Sequence, residues 1–462
     1  MTTKSYTAAM AQFASDLKYE DLPKDVIHAA KRCILDTIGC GIYGSVLPWS
    51  TTVMKTMQRL DGGGEQVTIW GTDQRMSPPG AALVNGTMVH SFEFDDLHKG
   101  AIIHPGGVSL PAILALAESE LPTATGKDLV VAVVVAYEIS IRVGLSTGLG
   151  LLHRGWHNNG VLGTFGGATG AGKLLGLDTP QMMDAIGMAA TQSSGLMSAQ
   201  FGSMVKRMHA GKAAQSGLYA ATLAQDGFRG IRNVFEVDYG GFHNTFTTEY
   251  SLEELSKGLG EQWEITRMGF KPYPACGSNH TSIDAIVALY AEHEFTYEDV
   301  VKVEVEASTA THDHVGWPYE PDTVTTAQMN LSYAIACALV NRDVTVANFD
   351  EDVLDDPTVL ALTKLVKVTS SPAIDAKGRS HRHEINLTLT LSDGRELRKS
   401  VSHARGSEQH PLSDEELDNK FVSLVESVLG SSQAETLRST IRDLENVDSA
   451  AELARALGTS SL

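Results

Sequence analysis

Over most of the first 265 positions, hydrophobic residues recur at three- and four-residue spacing. In KDVIHAAKRCILDTIGCGIYG, Val26, Ile27, Ala30, Cys33, Ile34, Thr37 and Ile38 fall on one face of a helix. PPGAALVNGTMVH opens with prolines suited to a first helical turn, and DTPQMMDAIGMAATQSSGLM opens with an Asp cap and Pro180. KDLVVAVVVAYEISIRVGLS is apolar nearly all round, which predicts a central buried helix. NNGVLGTFGGATGAGKLLG is crowded with small residues, a pattern expected of helices packed backbone to backbone.

After about residue 268 the period changes. VVKVEVEAS alternates, which places Val301, Val303, Val305 and Ala307 on one face of a half-buried strand. HEINLTLTLSDGRELRKSVS predicts a hairpin turned at Asp393-Gly394. Helical stretches such as TTAQMNLSYAIACALV lie between them, and SDEEL at Ser413 caps a final helical run. The order α, α+β, α predicts a mainly α protein. Its large all-helical domain covers residues 1–267, a smaller inserted α+β domain covers 268–404, and C-terminal helices over 405–462 return to the first domain. There is no internal repeat and no low-complexity linker.

Charge narrows the partners. Lys plus Arg number 36 against 56 Asp plus Glu, a formal charge of −20. That balance argues against nucleic acid and anionic membranes, both polyanions, and obliges any site for an anionic substrate to build its own positive patch. Four cysteines without a CxxC pair fit a reducing compartment. The N-terminal stretch resembles neither a signal nor a transit peptide, and the apolar run LVVAVVVAY stops at Glu138. The expectation is a cytoplasmic protein with no membrane partner.

HSFEFDDLHKGAIIHPGG, residues 90–107, carries the densest candidate chemistry: His90, His98 and His104 with Glu93, Asp95 and Asp96. A metal reading would use Asp95, His98 and His104, but no HExxH or paired i,i+4 histidines accompany them. A capped polar loop is the plainer structural alternative. An acid/base reading needs a carboxylate that orients a histidine near other ionisable groups. Candidates for a second wall are His157 in RGWHNNG; Lys206, Arg207, His209 and Lys212 in MVKRMHAGKAAQSG; and Lys271, Cys276 and His280 in KPYPACGSNHTSIDA. Each alone is more often structural; together they offer His and Lys to a di- or tricarboxylate. GGATGAGKLLG contains GxxxxGK, yet Leu174 follows the Lys and no strand precedes it, which leaves helix packing as the reading.

At these residues the chain resembles the MmgE/PrpD family, from ILDTIGCGIYG through HSFEFDDLHKGAIIHPGG, RGWHNNG, GLMSAQFGSMVKRMHAG and KPYPACGSNH to PLSDEEL. The resemblance implies a helical domain with an inserted α+β lid, a homodimer, and lyase or epimerase chemistry on small polycarboxylates without cofactor or metal. Family activities include decarboxylation of cis-aconitate, dehydration of 2-methylcitrate and epimerisation of iminodisuccinate. Carried over by motif, His104, His157, Asp96 and Lys206 are the expected catalytic residues, with Asp96 or Glu93 orienting a histidine. Glu93, Asp95, Lys271, Cys276 and His280 are expected to bind substrate. Animal cis-aconitate decarboxylases have Asp in place of Glu93 and His in place of Cys276, whereas fungal ones resemble this chain at both positions. A metal-dependent hydrolase and a non-catalytic carboxylate-binding dimer are the readings from other classes.

Overall fold

Short polar residues start the helices where the sequence places them. Ser77 accepts from the Gly80 amide ahead of the Pro78–Val89 helix, and Asp178 accepts from Gln181 ahead of Thr179–Thr191. Ser413 and Glu416 form a reciprocal capping box at the head of Asp414–Leu429. The computed structural model describes residues 5–61 and 64–459 and is mainly helical. The chain falls into two units. One comprises segments 1–198, 205–269 and 413–462; the other comprises 199–204 and 270–412.

The larger unit is built on the Val205–Gln225 helix, which lies against Pro78–Val89, Pro105–Ser119 and Asn158–Leu174. Small residues bring these helices close. A Cβ on Gly211 would stand 1.9 Å from the Leu83 carbonyl oxygen, and one on Gly217 would stand 2.5 Å from the Ala168 nitrogen. Gly163 is held as closely to Val108, at 2.6 Å. The stretch GGATGAGK therefore lies inside a helix, and Lys173 in its last turn donates to the Ser15 carbonyl at 2.7 Å.

One expectation for this unit changes. It is not all-helical, because Val67–Thr68 pairs antiparallel with Arg75–Met76, where buried Glu118 accepts from the Thr68 amide and Oγ1. The Gly126–Thr147 helix is the central buried helix that its apolar sequence predicts, and it runs on through Glu138. By length and composition that helix could cross a membrane, but 94% of its apolar window is buried, and Arg142 Nε donates to Glu138 at 3.2 Å.

The smaller unit holds a four-stranded sheet in the order Val366–Ser370, Val300–Ala307, Ile385–Leu391, Glu396–Val401. The first pair is parallel and the other two are antiparallel. The hairpin turns at Gly394, whose φ of +86° suits glycine. Val301 departs from the alternation read in the sequence: it is 48% exposed, and Val300 is buried in its place. The register shifts between Val300 and Lys302, and such a bulge turns the strand's first residues to the other face. Helix His280–Glu292 packs on the two C-terminal strands of the sheet.

Candidate active site

The 90–104 segment is a buried loop of the larger unit between two helices, with His90 closing Pro78–Val89 and His104 capping Pro105–Ser119. Pro105 supplies a first helical residue that needs no amide partner. Two non-glycine residues, Glu93 and Ile102, take a left-handed backbone, each at φ +55°. Such residues carry a penalty of about 1 kcal/mol or more and persist where the surroundings fix them. Fixing is provided by pairing of Leu97 with Gly269 and of His98 with Ile103.

Asp95 stands between two histidines. Its Oδ2 accepts from His90 Nδ1 at 2.8 Å, and its Oδ1 faces His104 Nδ1 at 3.3 Å, outside hydrogen-bond alignment. Asn159 ties the pair together: Oδ1 accepts from the His104 amide at 3.0 Å, and Nδ2 reaches His90 Nε2 at 3.2 Å. That network sets the amide orientation and makes His90 a neutral ring with its proton on Nδ1. Burial lowers the His90 pKa to about 4 despite the neighbouring Asp95 carboxylate. Asp95 is held well below the usual carboxylate range: burial opposes this, but the two imidazoles beside it, His104 and His90, outweigh it.

A cationic pair lies alongside. Lys206 and Arg207, both buried on the Val205–Gln225 helix, meet Glu93, with Arg207 Nη1 at 2.7 Å from Oε1. Arg207 also lies over the Trp49 ring at 5.7 Å. His157 precedes the Asn158–Leu174 helix, and its amide donates to the Gly195 carbonyl at 3.0 Å. Its Nδ1 lies 2.8 Å from Nδ1 of His209, and its ring centroid is 5.7 Å from that of His90. Burial, then the Lys206 charge, drive His157 well below its ordinary value and His209 to about 4.

Asp96 differs from its expected role. Asp95 lies between the histidines, while Asp96 accepts from Tyr137 Oη at 2.6 Å and the Gly106 amide at 3.2 Å. Burial, then the Asp36 charge, push its carboxyl well above the usual range. Glu93 likewise faces the cations rather than a histidine. Behind the loop, Lys420 of the C-terminal helices donates to Asp36 Oδ1 at 2.7 Å and to the Phe94 carbonyl at 2.6 Å.

The ligand set weighed from sequence also changes. His98 leaves the cluster to face Glu264 at 3.2 Å, and His90 takes its place; ligand atoms of His90, Asp95 and His104 lie within 4.8 Å of one another. In the smaller unit, Lys271, Cys276 and His280 are all buried. His280 Nε2 donates to the Ala275 carbonyl at 3.1 Å and closes its own loop, and Cys276 Sγ lies 4.0 Å from His314 Nδ1.

Sequence reasoning placed Glu93, Asp95, His104, His157 and Lys206, which this unit brings together. It named His90, Arg207 and His209 among the candidates without giving them a role, and passed over Asn159 and Lys420. Asn159 lies two residues after His157, so a reading of neighbours could have found it; nothing in the sequence points to Lys420.

Two family models match the chain: the MmgE/PrpD N-terminal domain over residues 8–254 and the MmgE/PrpD C-terminal domain over residues 273–446. Cis-aconitate decarboxylase of Aspergillus terreus is 33% identical over 460 residues, covering 96% of this chain and 93% of its own. The Mus musculus cis-aconitate decarboxylase is 30% identical over 471 residues, covering 99% and 94%. The 2-methylcitrate dehydratase of Escherichia coli K12 is more distant, 22% identical over 412 residues and 84% of each chain.

Proposed function

Because the chain belongs to the MmgE/PrpD family, we propose that it is a lyase that decarboxylates a small tricarboxylate, cis-aconitate or a close analogue. One observation carries the reading: a buried Lys206–Arg207 pair lies in the same site as two histidines joined by a single carboxylate. The cations supply charge-assisted hydrogen bonds to substrate carboxylates, and Glu93 holds their place in the free protein. Similarity over nearly the full chain to cis-aconitate decarboxylases favours this chemistry over dehydration.

In this scheme the bond to one carboxylate breaks, carbon dioxide leaves, and its electron pair spreads over the adjacent double bond. The allylic carbanion is protonated on the former vinylic carbon while the double bond shifts. His104 is the acid. Asp95 steadies its protonated form and keeps the ring in place, as an orienting carboxylate does for a general acid. His157 binds a second carboxylate. Lys271, Cys276 and His280 join through the family resemblance, with the α+β unit acting as an inserted lid. A homodimer in the cytoplasm completes the proposal; no cofactor enters any step.

The test is incubation of metal-stripped protein with cis-aconitate, followed by proton NMR, with 2-methylcitrate in a parallel tube. Itaconate formed without added metal supports the reading; loss of water from methylcitrate replaces it with a dehydratase. Silence in both tubes directs the search to imino- and aminodicarboxylate epimerisation, then to binding without turnover. A metal-dependent reading keeps one support, the convergence of His90, Asp95 and His104. Activity that appears only on metal add-back would favour it.

A further inference from the structure

Two imidazole rings meet at one side of the histidine cluster. Nδ1 of His157 and Nδ1 of His209 lie 2.8 Å apart, with ring centroids at 5.0 Å. A hydrogen bond between two Nδ1 atoms holds one proton, so one ring donates and the other accepts. A neutral ring that accepts at Nδ1 must carry its own proton on Nε2. Whatever His209 does therefore decides which face of His157 is a donor.

We infer that His209 is a positioning residue that donates Nδ1–H to His157 and holds it in the Nε2–H tautomer, ready to donate to a carboxylate of the substrate. The last clause rests on the polycarboxylate reading above; the tautomer assignment does not.

One feature sets the direction, and two more fix the contact it acts through. First, His157 is 7% exposed, whereas His209 is only half-buried. The bare Nε2 lone pair left on His209 can be met by water; on buried His157 it would face incoming carboxylate oxygens, lone pair against lone pair. Second, one residue spaces both rings. The Gly195 carbonyl accepts from the His157 amide at 3.0 Å, and a Cβ on Gly195 would stand 3.3 Å from His209 Nδ1. Its φ of +130° is glycine territory, so the spacer is as thin as a residue can be. Third, Lys206 sits one helical turn before His209. Its charge, added to burial, disfavours protonation of either ring, so the pair shares one proton rather than two.

The experiment uses full-length protein labelled with 15N-histidine, as wild type, His209→Leu and His209→Gln. Long-range 1H–15N correlation reads the tautomer of His157, and steady-state kinetics on cis-aconitate reads KM and kcat. The expected result is Nε2–H in the wild type and loss of that preference in His209→Leu. KM should rise about tenfold or more with a smaller change in kcat, and His209→Gln, which keeps a donor, should recover most of the affinity. Nδ1–H on His157 in the wild type overturns the inference, as does a His209→Leu variant with unchanged tautomer and KM. Equal losses in both variants with a matching fall in Tm make His209 merely structural and overturn it too. If cis-aconitate is not turned over at all, the functional reading fails, while the spectra still decide the tautomer.

Discussion

Arg207 and Glu93 form a buried ion pair: Nη1 lies 2.7 Å from Oε1, and the side chains are 1% and 4% exposed. Removing one partner of such a pair strands the other charge in a poorly solvated place. Glu93→Ala is expected to lower stability by about 3–5 kcal/mol in urea unfolding. A tricarboxylate that takes over the cations should restore part of that loss, so its thermal shift should be larger for the variant than for the wild type. An equal or smaller shift would dissociate Glu93 from the substrate's place.

Adjacent carboxylates should behave differently. Asp95→Asn removes the anion between His90 and His104 and should reduce kcat by about 10²–10⁴. Asp96 has a carboxyl pushed up by burial and the Asp36 charge, so giving up a negative charge costs less there than at Asp95. Asp96→Asn should stay within about tenfold of wild-type kcat, because its partners are Tyr137 and Gly106 rather than a histidine. Kinetics of the two variants side by side would reveal a reversal.

His104→Ala should fold with near-native circular dichroism and Tm, since the ring is a surface of the site and its amide bond to Asn159 survives. Turnover should drop by about 10²–10⁴. Wild-type-like kcat would remove His104 as the acid.

Acid should weaken the fold before the carboxylates titrate. Burial lowers the pKa of His90 and His209 to about 4, below the ordinary 6.5, and drives His157 well below it too. Between those values the unfolded chain binds more protons than the native one, so stability is whole above about pH 6.5 and drains away toward pH 4. His90 alone accounts for roughly 3 kcal/mol. Urea midpoints from pH 7.5 to 4.5 measure this, and His90→Asn should flatten the slope.

Lys420 is remote in sequence but lies behind the 90–104 loop. Lys420→Met keeps the chain length and leaves Asp36 buried without its cation, an expected loss of about 3–5 kcal/mol. Hydrogen exchange should quicken in the loop, whose Phe94 carbonyl Lys420 holds. Unaltered loop protection would make Lys420 a structural residue of the C-terminal helices alone.

Local chemistry was legible in the sequence, and long-range partnership was not. Asp178 and Ser413 announced helix starts because a cap acts within four residues, and Asp393-Gly394 announced its turn for the same reason. The Val301 error arose from a bulge that only the partner strand reveals. In the site, clustering of ionisable residues marked the right loop, but Asp95 and Asp96 are neighbours with different partners. No period governs a loop that contains a left-handed Glu93. His209 shares a helix face with Lys206 and was visible as such, yet its meaning depends on a ring 52 positions earlier.

The glycine seam on the Val205–Gln225 helix has a consequence for how such a sequence can drift. Lys206, Arg207 and His209 ride on the same helix whose Gly211 and Gly217 touch neighbouring backbones. An exchange at Lys206, Arg207 or His209 alters the contacts of one side chain. A methyl group at Gly211 instead levers the whole helix, and every functional group on it, away from the Leu83 carbonyl. Constraint thus reaches beyond the chemical wall, and it is as strict among residues with no chemistry at all.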